Sequence, residues 1–152
     1  MTVWLVRHAS AGSRKAWPGA DSDRPLDGKG RRQAARLADL LEKVPARQVL
    51  SSPYRRCVET VTPLAETLGV GVEPADALAE GQAPGATKLL ASHTGTDAVF
   101  CTHGDIVPAL LEWVGKQGAR VSQEARWSKG STWVLEAKRG RYVSAHYLPP
   151  PG

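Results

Sequence analysis

Phenylalanine and methionine each occur once in this 152-residue chain, and cysteine occurs twice, at Cys57 and Cys101. Two cysteines cannot build the disulfide framework of a small secreted domain. A chain of this length needs no such framework, because it buries about two-thirds of its unfolded surface. The strongest apolar stretches, VWLV near the start and AVFC in the middle, have the length of strands. They fall far short of the roughly 20 residues needed to span a membrane. The start also lacks the basic, apolar and small-residue regions of a signal peptide. These absences argue for a cytoplasmic protein. HExxH, paired Cys-x-x-Cys, GxxxxGK[ST] and GxSxG are missing as well. Nothing therefore calls for a metal or cofactor, a nucleotide P-loop or a serine nucleophile elbow.

What is present is a globular mixture, 41% hydrophobic and 23% charged. It has no repeat, long linker or compositional break, so we expect one domain over residues 1–148 with a flexible tail over 149–152. The formal charge of +5 is unevenly placed. Residues 1–60 hold twelve Lys and Arg against six Asp and Glu, whereas the remainder is nearly balanced. Zinc-finger spacing, an RNA-binding aromatic signature and a long basic run are all absent, which points away from nucleic acid. Small phosphorylated partners account for the basic excess equally well.

Hydrophobic periodicity predicts alternating strands and helices. TVWLV (2–6) reads as a buried strand, and residues 9–26, rich in small residues with two prolines, read as a loop. Asp27 caps a helix reaching about Lys43, with Ala34, Leu37, Ala38 and Leu41 on its apolar face. RQVLS (47–51) is a short strand, and Ser52-Pro53 leads into a helix carrying Cys57, Val61, Leu64, Ala65 and Leu68 on one side, ended by Gly69. VGVEP (70–74) is an edge or short parallel strand. A loop with one helical turn follows, then a short helix over 85–92, a buried strand at VFCT, and a helix from Asp105 to about Lys116. STWVLEA and RYVSAHYL form a hairpin or adjacent strands around KRGR. The alternation predicts an α/β fold: a three-layer α/β/α sandwich around a mostly parallel sheet, with a C-terminal antiparallel component.

In open α/β sheets ligands gather beyond the carboxyl ends of the strands. His8 follows the first strand and His103 follows VFCT, so both are expected at that edge. RQVLS delivers SSPYRR to the same edge, placing Arg55 or Arg56 in the first turn of the next helix. Arg7 offers a second guanidinium, and guanidinium groups bind phosphoryl oxygens bidentately. This set permits nucleophilic catalysis in which neutral His8 attacks phosphorus and the phosphoryl group then passes to water. Glu80, in a glycine-containing loop, is the candidate acid for the leaving group, with Asp76 as the alternative. Cys57 and Cys101 sit in apolar patterns and read as buried structural thiols.

LVRHASA (5–11), DRPLDGKGRRQA (23–34), SSPYRRCVET (51–60) and VFCTHGD (99–105) together resemble the histidine phosphatase, or phosphoglycerate-mutase-like, superfamily. The resemblance implies that His8 is the phosphorylated nucleophile, that Arg7 and Arg56 bind phosphate, and that His103 completes the pocket. It also implies Glu80 as proton donor, and it selects Arg56 over Arg55 by spacing from Ser52 and Thr60. Arg55 is then an auxiliary substrate contact or a surface charge. Ala9 stands where the family motif has glycine, which is compatible with a negative φ.

The chain lacks the length for large cap insertions. It therefore resembles the small SixA-like branch or the phosphatase-like domain accompanying some Nudix nucleotide hydrolases. In the latter case Arg14 and Lys15 are candidate contacts for a second phosphate. The expected function is a metal-independent phosphomonoester hydrolase acting on a small phosphorylated metabolite or nucleotide. The alternatives are a phosphatase for phosphohistidine on a protein, a phosphate-transferring mutase, and a noncatalytic phospho-ligand-binding module. Oligomeric state is left open.

Overall fold

The computed structural model describes residues 1–123 and 126–152. Among the described residues, seven strands form one sheet: β1 (Thr2–Arg7), β2 (Gln48–Ser51), β3 (Val72–Pro74), β4 (Ala98–Thr102), β5 (Arg120–Val121), β6 (Thr132–Lys138) and β7 (Arg141–Leu148). Their order across the sheet is β3-β2-β4-β1-β6-β7-β5. All pairings are parallel except those of β6 with β1 and β7, so β6 alone runs against the rest. This is the mostly parallel sheet with an antiparallel C-terminal component that the alternation predicts. The two-residue strand β5 was not foreseen, being too short to show a period.

Four α-helices among the described residues cover the sheet: α1 (Gly28–Leu40), α2 (Arg55–Leu68), α3 (Ala83–Ala91) and α4 (Ile106–Lys116). Successive β1 side chains go to opposite faces, as the pleat requires. Val3 and Leu5 join Leu90, Phe100, Ile106 and Leu110 on the α3–α4 side. Trp4 and Val6 join Leu37, Cys57, Val61 and Leu64 on the α1–α2 side. Strands buried on both faces read as continuous apolar runs, which is why VWLV and AVFC show no alternation. No helix among the described residues is long and apolar enough to cross a membrane.

The start of α1 fixes the loop that leaves β1. The Asp27 carboxylate caps the helix by accepting from the Gly30 amide at 2.8 Å, and it also accepts from the Ser10 hydroxyl at 2.7 Å and the Gly12 amide at 3.0 Å. Burial alone would raise the pKa of this carboxyl, but those three donors hold it below its ordinary value. Gly30 is required for the approach, because a Cβ there would run into the Ser10 carbonyl oxygen. α1 ends at Leu40, a few residues before the expected Lys43, and a turn covers the rest. Residues 149–152 run beside α1, where Arg36 Nη1 donates to the Gly152 carbonyl at 3.0 Å.

Candidate active site

Strand register brings the candidate residues to one edge. Arg7 lies opposite Thr102 and Ser51 opposite Cys101, so His8, Ser52 and His103 all follow at the carboxyl ends of β1, β2 and β4. The His8 amide donates to the Thr102 carbonyl at 3.0 Å, and the Ser52 amide to the Cys101 carbonyl at 2.9 Å. The two histidine rings meet edge to face, with centroids 5.5 Å apart.

The His8 ring lies with Nδ1 2.8 Å from the Ala9 carbonyl oxygen. A carbonyl can only accept, so Nδ1 carries the hydrogen and the neutral ring keeps its lone pair on Nε2. Burial lowers the pKa of His8 to about 3. It outweighs the Ala9 carbonyl, which acts in the opposite direction, and Arg56, His103 and Arg7 add to the lowering. The imidazole is therefore neutral near pH 7. Ala9 is fully buried with a negative φ, so its methyl group is accommodated where the motif has glycine. The Ala9 amide donates to Thr60 Oγ1 at 2.9 Å, and that hydroxyl donates to the Arg56 carbonyl at 2.7 Å. Thr60 thus ties the backbone beneath His8 to the first turn of α2.

Arg56 is almost completely buried. Its Nη1 donates to the Asp21 carbonyl at 2.9 Å, and its Nη2 donates to Asp21 Oδ2 at 3.1 Å and to Glu80 Oε1 at 2.7 Å. The Tyr54 ring lies under the guanidinium, 5.0 Å from Cζ, and also packs edge-on against His103. Arg7 Nη1 donates to the Trp127 carbonyl at 2.9 Å. The Arg7 guanidinium rests on Gly104, where a Cβ would stand 2.8 Å from Cζ and Nη2. The glycine after His103 is thus the floor on which Arg7 lies. Burial on its own would raise the pKa of Asp21, but Arg24, Arg56 and Arg14 hold it below the usual value.

Glu80 sits at the centre of the cationic groups. Besides Arg56, it accepts from Arg14 Nη2, 3.2 Å from both carboxylate oxygens, and Oε1 lies 3.5 Å from His103 Nδ1. Its loop is pinned to the start of α4, because the Gly81 amide donates to Asp105 Oδ2 at 2.8 Å. His103 Nε2 lies 2.8 Å from Ser52 Oγ, which also accepts from the Tyr54 amide at 3.2 Å. Three buried nitrogens here have no hydrogen-bond partner among the described residues: Arg7 Nε, Arg56 Nε and His103 Nδ1. The two guanidinium Nε–H groups are unpaired buried donors, and such donors among positive charges fit an oxyanion. The open cavity beside them is about 640 Å³, with Arg7, His8, Arg14, Glu80 and Trp127 among its walls.

The sequence-predicted residues therefore divide. Arg7, His8, Arg14, Arg56, Glu80 and His103 come together. Arg55 turns outward to Glu59, at 3.1 Å, and to Asp23, at 3.9 Å. Lys15 and Asp76 are exposed and are not among the cavity walls. Sequence reasoning missed Asp21, Tyr54 and Trp127. Asp21 and Trp127 lie in aperiodic segments, whereas Tyr54, between SSP and the Arg-Arg pair, lay inside a motif already in view.

The chain is similar to known proteins in sequence and in fold. The chain is 38% identical over 157 residues to the 8-oxo-(d)GTP phosphatase of Mycolicibacterium smegmatis, covering 99% of this chain and 48% of that protein. It thus spans about half the length of this curated relative. The fold is similar to SixA from Agrobacterium tumefaciens, with a TM-score of 0.78 at 24% identity over 98% of this chain and 97% of the other. It is also similar to the protein histidine phosphatase SixA complexed with tungstate, with a TM-score of 0.76 at 22% identity over 99% and 97%. The family model of the histidine phosphatase superfamily, branch 1, matches residues 3–88. That segment carries His8, the Arg56 helix and the Glu80 turn, and the chain belongs to this superfamily.

Proposed function

We propose that the chain is a metal-independent phosphomonoester hydrolase that forms a phosphohistidine at His8 and acts on a small phosphorylated metabolite or nucleotide. The observation that carries this reading is a neutral His8 with a free Nε2 lone pair, set beside His103 and the buried, unpaired Nε–H donors of Arg7 and Arg56. In the first step the Nε2 lone pair attacks phosphorus, the bond from phosphorus to the leaving oxygen breaks, and that oxygen takes a proton from the Glu80 carboxyl. Arg7, Arg56 and His103 bind the phosphoryl oxygens as charge spreads over them. In the second step water attacks phosphorus and gives a proton to the Glu80 carboxylate. The P–N bond breaks and its electron pair returns to Nε2. Throughout, Nδ1–H stays on the Ala9 carbonyl, which keeps the ring aimed.

The name of the M. smegmatis relative, an 8-oxo-(d)GTP phosphatase, favours a nucleotide substrate. The fold shared with SixA favours a second reading, removal of phosphate from phosphohistidine on a protein, which the open cavity would admit. A screen of phosphorylated metabolites, nucleotides and a phosphohistidine protein tests both readings. Turnover should be abolished in His8→Ala, and label from the active substrate, quenched without acid, should map to His8. Turnover with no phosphoenzyme would refute the mechanism. Isomerisation with little phosphate release would indicate a mutase, and binding without turnover a recognition module.

A further inference from the structure

Trp127 lines two adjoining cavities of different character. One is the charged cavity of Arg7, His8, Arg14 and Glu80. The other, about 430 Å³, lies along α4 and is walled by Pro108, Leu111, Val121, Trp133 and Trp127, with Ser122 among its polar groups. The Trp127 carbonyl holds Arg7 Nη1, so the segment that presents this residue is tied to the phosphate-binding guanidinium. Trp133 also lines the second cavity, but its Nε1–H is already committed to the Arg126 carbonyl at 2.8 Å and offers nothing further to a ligand. Ser122 Oγ is buried and has no hydrogen-bond partner among the described residues.

An open aromatic and aliphatic groove with one unsatisfied buried hydroxyl, beside an oxyanion site, matches a flat heteroaromatic ring with polar atoms on its edge. We propose that Trp127 is the specificity-determining residue of this site. In this role it stacks against the base of a nucleoside phosphate whose phosphoryl group faces His8, while Ser122 Oγ bonds the base edge. This assignment rests on the phosphatase reading and narrows its substrate class to nucleotides. A simple polyol phosphate would leave the apolar walls uncovered and the Ser122 hydroxyl unpaired.

The test compares guanosine monophosphate with glycerol phosphate in the unmodified protein and in Trp127→Ala, Trp127→Phe and Ser122→Ala. The quantity read is the ratio of kcat/KM for the nucleotide to kcat/KM for glycerol phosphate. It cancels any general loss from a disturbed Arg7. The ratio should fall tenfold or more in Trp127→Ala, mainly through KM for the nucleotide, and return towards its original value in Trp127→Phe, which keeps an aromatic face. Ser122→Ala should lower the ratio less. An unchanged ratio in Trp127→Ala would overturn the proposal while leaving the hydrolase intact. Calorimetric binding of the same two ligands separates the two readings. Nucleotide binding that depends on Trp127 without phosphate release from either ligand would keep the aromatic subsite and refute the hydrolase. Equal binding of both ligands would refute the subsite.

Discussion

Replacing Gly104 by alanine puts a methyl group into space that the Arg7 guanidinium fills. The added Cβ would stand 2.8 Å from Arg7 Cζ and Nη2 and 3.0 Å from Nε, where ordinary contact begins near 3.4 Å. The guanidinium must therefore retreat by about 0.6 Å, or the backbone after His103 must move by a similar amount. Either movement strains the 2.9 Å bond from Arg7 Nη1 to the Trp127 carbonyl and shifts the unpaired Nε away from the proposed phosphoryl position. A misplacement of about 1 Å can cost about a hundredfold in rate, so on the proposed mechanism the smaller shift here should lower kcat by roughly tenfold. Steady-state kinetics on the best phosphomonoester, with thermal melting to confirm folding, measures the loss. A double-mutant cycle with Arg7→Ala makes the reasoning refutable. Once the guanidinium is gone the methyl group has room, so Gly104→Ala should cost almost nothing further. Equal losses from Gly104→Ala in both backgrounds would show that Gly104 acts through something other than Arg7.

Two further outcomes follow from the histidine and its backbone support. The pKa of His8 is about 3 in the folded chain against an ordinary value of 6.5, so on acidification the unfolded chain takes up the proton first. The stability this contributes is full above pH 6.5 and is lost as pH falls towards 3, with a slope of about 1.4 kcal/mol per pH unit in urea titrations. His8→Asn should flatten that slope, and an unchanged slope would refute a buried neutral imidazole. Thr60→Val strands the Ala9 amide in the interior and should cost about 1–3 kcal/mol by chemical denaturation. It should also lower kcat by loosening the Ala9 carbonyl that orients His8, so a variant with wild-type stability and rate would contradict the tie through Thr60.

The parts of this architecture that were legible in the sequence are those with a period or a fixed neighbour. VWLV and AVFC were readable as strands covered on both faces, and the residues following them, His8 and His103, inherited a position from that. The α2 face of Cys57, Val61, Leu64 and Ala65 was equally plain. Periodicity did not distinguish Arg55 from Arg56. The structure does so by burial, with Arg56 enclosed and Arg55 paired with Glu59 at the surface. Asp21 and Trp127 stayed hidden because each comes from a segment without periodicity, and each acts on an arginine distant in sequence. The His8 tautomer was invisible for another reason, since it depends on one backbone carbonyl that no residue type encodes. Helix α3 begins at Ala83, two residues before the expected start, because the proline at position 84 falls in its first turn, where a missing amide does no harm.

The hydroxyl of Thr60 gives α2 the role of a ruler. Arg56 and Thr60 are one turn apart on the same helix, about 6 Å along its axis, and Thr60 grips the strand end that carries His8. The backbone beneath His8 and the backbone of Arg56 are therefore spaced by helical pitch, while the Arg56 guanidinium itself is held by Asp21 and Glu80. Thermal movement of the surrounding loops can open or narrow the entrance without changing that spacing. A slip of α2 along the sheet would move Arg56 and loosen the backbone beneath His8 at the same moment. On the proposed mechanism, the nucleophile and the phosphate anchor would then be disturbed together.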